Sequence, residues 1–149
     1  MPLLADHFHS YRCSSEDRLY LRELRRIYSA AVRTAYANAG AVDGSRSKQK
    51  DLRDLVKSRF AGGIVDAWLL HCATLEGMDQ RKLRSDGKMV FGSRAGLERR
   101  RKGLITNAEW REMRLRPLCS RGDSTQFGNR HFRLTPDART CVLRIYSRG

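Results

Sequence analysis

Apolar residues recur every three or four positions in three stretches of the first half of the chain, and this spacing predicts three amphipathic helices. The first helix follows Ser14 and Ser15, which precede two acidic residues in the manner of a helix N-cap. It ends before Gly40, a residue type favoured just after a helix. We expect its apolar stripe to form core rather than a ligand site, and the stripe comprises Tyr20, Leu24, Ile27, Tyr28, Ala31 and Ala35.

The second and third helices follow a polar loop. Ser47 is placed to cap the second helix, which Gly62-Gly63 ends and whose apolar side holds Leu52, Leu55, Val56 and Phe60. The third helix is expected from about Ile64 to Leu83, with an apolar face of Val65, Trp68, Leu69, Cys72 and Leu75. Three such helices with short connections are typical of a small helical bundle.

A basic segment follows the bundle. The stretch from Ser93 to Lys102 is predicted to be helical and to stop at Gly103. Thr106 and Glu109 have the spacing of a capping box and predict another short helix, which Pro117 ends. The candidate buried residues of this helix are Trp110, Met113 and Leu118.

The last stretch of the chain predicts β structure. Residues 130–134 and 141–146 alternate in polarity around a turn signal, as the strands of a β-hairpin do. His7 to Cys13 predicts a further short strand. The predicted fold class is therefore α+β and mainly helical: a small helical bundle, a basic helical segment and a C-terminal β-hairpin, with a short N-terminal strand. Because an isolated hairpin is only marginally stable, it either packs on the helices or belongs to a longer chain, and the second option is favoured.

Length and composition exclude several classes of protein. A chain of 149 residues has room for one domain of ordinary size. It has no apolar run near the ~20 residues that span a bilayer, and its first residues do not resemble a signal peptide. We therefore expect no membrane partner and a cytoplasmic location. Neither His7-x-His9 nor the scattered cysteines, which form no C-x-x-C pair, predict a metal site.

The charge of the chain points to nucleic acid. The formal net charge is +14, and 24 of the 30 basic residues are arginine, which binds phosphate bidentately and stacks on bases. Residues 81–121 carry a net +9, against +2 for residues 1–80 and +3 for residues 122–149. The binding surface is therefore expected mostly in the second half, with a merely basic protein as the alternative.

Chemistry in this chain is expected to be binding rather than catalysis. It contains none of the short motifs of phosphate-binding loops, serine hydrolases or zinc proteases, and its acids show no pairing suited to metal-dependent cleavage. The run Arg99–Lys102, with Arg111, Arg114 and Arg116, could follow a phosphate backbone, and its alternative is a solvated face. Phe127, His131 and Phe132 are candidates for stacking on unpaired bases, although packing within the hairpin is favoured for Phe132.

One stretch resembles a known family. The stretch from Phe91 to Leu134 resembles the N-terminal half of TnpB-like proteins. The resemblance is carried, in chain order, by Phe91-Gly92-Ser93-Arg94, the basic helix, Ile105-Thr106-x-x-Glu109-Trp110, Arg114-x-Arg116-Pro117-Leu118-x-Ser120-x-Gly122-Asp123 and Gly128-Asn129-Arg130-x-Phe132-Arg133-Leu134. TnpB-like proteins are transposon-encoded RNA-guided DNA nucleases related to type V CRISPR effectors. The three earlier helices keep the order of that family, so the resemblance covers nearly the whole chain.

The resemblance implies a domain organisation and partners. Residues 1–13 would be a short strand of a wedge-like part, 14–128 a helical recognition-type region, and 129–149 the hairpin that starts a wedge-type β-barrel. The partners implied are a guide-type structured RNA, target DNA or an RNA–DNA heteroduplex, and a missing C-terminal nuclease half. The cell would be prokaryotic or phage-type, with the protein near the nucleoid. The RuvC-like acids and zinc ribbon of the family have no counterpart here, so the chain is expected to be an N-terminal segment without catalysis or cofactor.

The side chains expected to contact nucleic acid lie in the second half. Their role would be backbone and shape recognition, because guided systems leave sequence reading to base pairing. The alternative function is a freestanding basic RNA-binding or ribonucleoprotein module unrelated to transposons. The candidate residues are Lys88, Arg94, Arg99, Arg100, Arg101, Lys102, Arg111, Arg114, Arg116, Arg121, Asn129, Arg130 and Arg133.

Overall fold

The fold is known from a computed structural model, which describes residues 13–41, 46–84, 89–122, 129, 132–137 and 140–145. Helices dominate these residues, which confirms the prediction of a mainly helical chain. The elements in chain order are α1 (Ser15–Asn38), a 3₁₀ turn (Ala39–Ala41), α2 (Arg46–Arg59), α3 (Ala67–Leu83), α4 (Arg94–Arg101), α5 (Asn107–Met113), β1 (Phe132–Asp137) and β2 (Thr140–Ile145).

Helix α1 is the central element of the bundle. Ser14 caps it, since the Ser14 hydroxyl accepts a 2.9 Å hydrogen bond from the Asp17 N–H, as the sequence predicts. The predicted apolar stripe is confirmed as core, because four of its six members are buried and the other two, Tyr20 and Ile27, are half-buried. The buried members of the stripe are Leu24, Tyr28, Ala31 and Ala35.

Helices α2 and α3 pack on α1 and complete the core. From α2, Leu52 and Val56 are buried, whereas Leu55, expected on the same apolar side, is 42% exposed. Helix α3 begins at Ala67, three residues later than predicted, because the Asp66 carboxylate caps it by accepting the Leu69 N–H at 2.8 Å. The apolar residues Ile64 and Val65 continue the helical spacing in the sequence, but they lie before the capping residue.

Helices α1 and α3 approach each other closely at Gly77. A Cβ at this position would lie 2.6 Å from the Cβ of Ala35 and 2.7 Å from the backbone oxygen of Val32. Real Cβ atoms essentially never come this near to another heavy atom. A side chain at position 77 would therefore force the two helices apart, and glycine permits their contact.

Helices α4 and α5 form a small layer beside the bundle. Trp110 of α5 packs over Gly92, whose φ of +91° lies in the region that favours glycine, and Met113 packs over the buried Gly96 of α4. The predicted capping box is confirmed, with Thr106 and Glu109 bonded reciprocally. The prediction of buried residues on α5 is wrong: no residue of α5 is buried and Met113 is 40% exposed.

The segment after α5 contacts α1. The α5 helix ends at Met113, so Leu118 does not lie on its face, as the sequence had suggested, and packs against the main core instead. Side chains of α1 bond to the backbone of this segment. The Arg116 N–H donates to the Ser29 hydroxyl at 2.9 Å, and the Arg25 guanidinium donates to the Arg116 carbonyl at 2.9 Å.

Strands β1 and β2 lie antiparallel, with Phe132 opposite Ile145 and Asp137 opposite Thr140. In the described part of the chain the sheet has these two strands alone. The barrel implied by the resemblance stays a prediction. The N-terminal strand was predicted for His7 to Cys13, and all of it except Cys13 lies outside the described residues, so the division of the chain at residue 13 is also a prediction.

Candidate nucleic-acid interface

The basic helix α4 exposes most of its cationic side chains. Ser93 caps this helix by accepting the Gly96 N–H at 3.0 Å. Arg94, Arg101 and Lys102 are exposed, and among the described residues none of the three forms an ion pair. Glu98 stands one helical turn from each of them and is itself exposed. The surface of α4 defined by Arg94, Arg101 and Lys102 is called the α4 face below.

The other two arginines of the run have neighbours on α5. The Arg100 guanidinium donates a hydrogen bond to the Asn107 side-chain oxygen and so ties the two helices together. Arg99 is exposed, and its positive charge acts on Glu109. The pKa of Glu109 lies below its ordinary value, chiefly because the Thr106 backbone N–H and hydroxyl donate to it, with a smaller contribution from Arg99.

Arg116 is held inside the protein. It forms an ion pair with Glu76, and their side chains are only 25% and 15% exposed. Glu76 also accepts a 2.6 Å hydrogen bond from the hydroxyl of Tyr28, and the Arg116 guanidinium lies 6.0 Å from the centre of the Phe91 ring. The structure therefore gives Arg116, expected to contact phosphate, a structural role between α1, α3 and the segment after α5.

Arg121 and Asn129 likewise have partners within the chain. Arg121 pairs with Asp79 at 2.5 Å, and its carbonyl accepts the indole N–H of Trp68 at 3.2 Å. The Asn129 amide donates to the Ser120 carbonyl at 2.6 Å, and its side-chain oxygen accepts the Phe132 N–H at 3.3 Å. Asn129 thus connects the start of β1 to the segment after α5, which is why a short polar residue suits this position.

The remaining predicted residues have three different placements. Arg133 of β1 is exposed, and Arg111 of α5 is exposed. Arg114 is half-buried, with its guanidinium 5.8 Å from the centre of the Trp110 ring. Two of the residues, Lys88 and Arg130, lie outside the described residues, as do the proposed stacking residues Phe127 and His131.

Sequence reasoning missed a groove between α1 and α5. Its volume is about 530 Å³, and its charged lining consists of five arginines and two glutamates. Three of the arginines come from the first half of the chain, where the low net charge had predicted little of the binding surface. The available signal was the spacing of arginines along the polar side of α1, away from its apolar stripe. The charged lining residues are Arg22, Glu23, Arg26, Arg33, Arg111, Glu112 and Arg114.

Two cations of this groove lie close to each other. The Arg33 guanidinium donates to the Arg114 carbonyl at 3.3 Å, and both side chains are half-buried. The pKa of Arg33 lies below its ordinary value because burial removes water from its charge and because the positive charge of Arg114 is near. Among the described residues, neither Arg33, Arg111 nor Arg114 has an acidic partner in an ion pair.

One exposed ion pair of the groove, between Arg22 and Glu112, also borders a second groove. Arg22 contacts Glu112 at 2.5 Å, and their side chains are 63% and 50% exposed. Both residues also line a second, more open groove of about 470 Å³, where Arg18, Arg25 and Phe132 are found. The two grooves therefore meet at the Arg22–Glu112 pair and together follow one side of α1.

The described residues contain neither a cluster of possible metal ligands nor a helix able to span a membrane. In that part of the chain, no three His, Cys, Asp or Glu side chains are grouped so that they could hold a metal ion. None of its helices combines the length and the apolar character that crossing a membrane requires.

Comparison of the chain with protein-family models, with curated proteins and with solved structures finds no match.

Proposed function

We propose that this chain binds nucleic acid through arginine contacts to the phosphate backbone. The observation that carries the proposal is the α4 face, where Arg94, Arg101 and Lys102 stand exposed without an ion-pair partner among the described residues. Other predicted cations, Arg116 and Arg121, already have internal carboxylates. A cluster of unpaired, exposed guanidinium and ammonium groups is suited to phosphate, because each contact releases counterions from the nucleic acid.

We further propose that the chain is part of a larger nuclease. On the sequence resemblance, it is the front half of a TnpB-like RNA-guided nuclease, inactive by itself and without a cofactor. It would bind the guide-RNA scaffold and the guide–target heteroduplex by shape and backbone, while base pairing reads sequence. In this proposal β1 and β2 begin a wedge-type barrel, and cutting belongs to a nuclease half outside these 149 residues.

A salt titration tests the proposal. The affinity for structured RNA, duplex DNA and an RNA–DNA hybrid is measured over a range of salt for the wild type and for a triple variant of the α4 face, Arg94→Gln, Arg101→Gln and Lys102→Gln. If the three side chains contact phosphates, the slope of log affinity against log salt becomes shallower by about 2 to 3. Tighter binding of structured RNA or hybrid than of duplex DNA supports the guided-nuclease assignment.

The matched control removes three charges elsewhere. Lys50→Gln, Lys57→Gln and Arg59→Gln change exposed residues of α2, so the net charge falls by the same amount. An equal loss of slope in both triple variants means that binding depends on total charge and contradicts a site on α4. Equal, weak binding of all three nucleic acids with an unchanged slope contradicts the proposed function as a whole.

A further inference from the structure

The groove between α1 and α5 contains more positive charge than its own acids neutralise. Glu23 is engaged by Arg26 at 2.6 Å and Glu112 by Arg22 at 2.5 Å. This leaves Arg33, Arg111 and Arg114 around the same groove, and none of them has an ion-pair partner in the described part of the chain. Three neighbouring cations without a counterion favour the entry of an anion.

The shape of the groove fits a chain of anions rather than a single one. Arg33 and Arg22 are 11 residues apart on α1, a separation of about 16 Å along the helix axis. The second groove continues from the Arg22–Glu112 pair past Arg25 and Arg18. Cations thus recur along about 22 Å of one helix side, a distance that several successive phosphates of a nucleic-acid strand would cover.

Glu112 lies where the two grooves meet. Its carboxylate accepts two hydrogen bonds from the Arg22 guanidinium, the same donors that a phosphate would use. Because this pair is largely exposed, it contributes little to stability and its carboxylate can turn away from Arg22 at small cost. An arriving phosphate would then take the place of the carboxylate on Arg22.

We propose that the joined grooves along α1 bind the phosphodiester groups of a nucleic-acid strand and that Glu112 acts as an internal competitor for them. This inference rests on the proposed function, because it takes nucleic acid as the ligand. It adds a second surface made mainly by α1, with Arg33, Arg111 and Arg114 as its anion site. It also assigns Glu112 a role that weakens binding, which the α4 face does not predict.

Two single substitutions test the groove in opposite directions. Binding of a labelled single-stranded oligoribonucleotide is measured by fluorescence anisotropy at low salt. Arg111→Gln removes an exposed cation of the anion site and is expected to weaken binding about fivefold. Glu112→Gln frees Arg22 and is expected to tighten binding about threefold, the change that release from an exposed ion pair allows. The control Asp51→Asn removes one exposed acid of α2 and so gives the same change in net charge.

A spectroscopic measurement locates the ligand and separates a strand from free phosphate. The NMR signal of the Arg33 Nε–H is followed during titration with the oligoribonucleotide and, separately, with inorganic phosphate. We expect the oligoribonucleotide to shift the Arg33 Nε–H signal at a concentration of phosphate groups at which inorganic phosphate leaves the signal unchanged. Equal shifts with both ligands would make this a site for free phosphate and overturn the assignment to a strand.

The outcomes distinguish this inference from the function on which it rests. If the triple variant of the α4 face weakens binding while Glu112→Gln matches Asp51→Asn and Arg111→Gln has no effect, the groove is not a binding surface and the proposed function stands. If no nucleic acid binds the wild type, both proposals are wrong. Opposite effects of Arg111→Gln and Glu112→Gln support the groove.

Discussion

The hydroxyl of Tyr28, a fully buried residue of α1, donates a 2.6 Å hydrogen bond to the Glu76 carboxylate of α3. The same carboxylate pairs with Arg116, so one acid joins two helices and the segment after α5. A carboxylate this poorly exposed needs its hydrogen bonds, because burial without them is costly.

Tyr28→Phe is expected to lower the free energy of unfolding by about 2 kcal/mol, since it removes one hydrogen bond to a charged acceptor while Arg116 remains in place. Urea unfolding monitored by circular dichroism measures this difference. An unchanged urea midpoint would contradict the structural role of the bond.

The same tyrosine predicts a loss of stability in alkali. Burial raises the pKa of Tyr28, and the hydrogen bond to Glu76 raises it further. In the unfolded chain a tyrosine ionises near pH ~10, so the contribution of Tyr28 to stability is complete below that pH and falls as pH rises beyond it. The stability difference between the wild type and Tyr28→Phe is therefore expected to shrink between pH ~9 and ~11. A difference that stays constant over this range contradicts the argument.

Gly77→Ala is expected to destabilise the bundle by about 1 to 3 kcal/mol, although alanine is the better helix former. The reason is the Cβ, which would meet Ala35 and the backbone of Val32 at less than van der Waals distance. The control is Gly63→Ala, where the nearest atom to a new Cβ is 3.5 Å away, and this change is expected to be neutral or slightly stabilising. Thermal unfolding of the two variants gives the comparison, and equal melting temperatures would count against a tight α1–α3 contact.

Arg116→Gln and Arg121→Gln are expected to differ, although both remove an arginine from an ion pair. Loss of Arg116 leaves the poorly exposed Glu76 without its cation and is expected to cost about 3 kcal/mol. The Arg121–Asp79 pair is 43% and 47% exposed, so its loss is expected to cost less than about 1 kcal/mol. Urea unfolding measures both, and equal costs would contradict the assignment of Arg116 to structure.

His71 predicts a weakness in acid. Burial lowers its pKa, and the positive charges of Arg53 and Arg121 lower it further, while its Nδ1 is buried without a partner among the described residues. In the unfolded chain histidine titrates near pH ~6.5, so this contribution to stability is complete above that pH and is lost as pH falls. His71→Asn is expected to flatten the fall in stability between pH ~7 and ~5. The urea midpoint at several pH values tests this, and parallel curves for both proteins would contradict it.

The elements that sequence predicted well are those with local causes. The cap at Ser14 and the capping box of Thr106 and Glu109 depend on residues three apart, and the stripe of α1 depends on helical periodicity. The start of α3 was misplaced because two apolar residues before Asp66 continue the helical pattern.

What sequence did not provide is the choice of partners across the fold. Arg116 and Glu76 are 40 residues apart, and Arg22 and Glu112 are 90 apart. Charge counted along the chain cannot separate an arginine paired with a distant acid from one left free. The groove was missed for this reason, since it unites α1 with a helix from the other half of the chain.

Three side chains of α1 at intervals of four residues, Arg25, Ser29 and Arg33, bond to the backbone of Arg114 and Arg116. One side of α1 thus fixes the position of the chain where it leaves α5. The consequence concerns ligand binding. If the grooves bind a nucleic-acid strand as proposed, the helix backbones that present the cations are already in place, and the ordering cost on the protein side falls mainly on the arginine side chains.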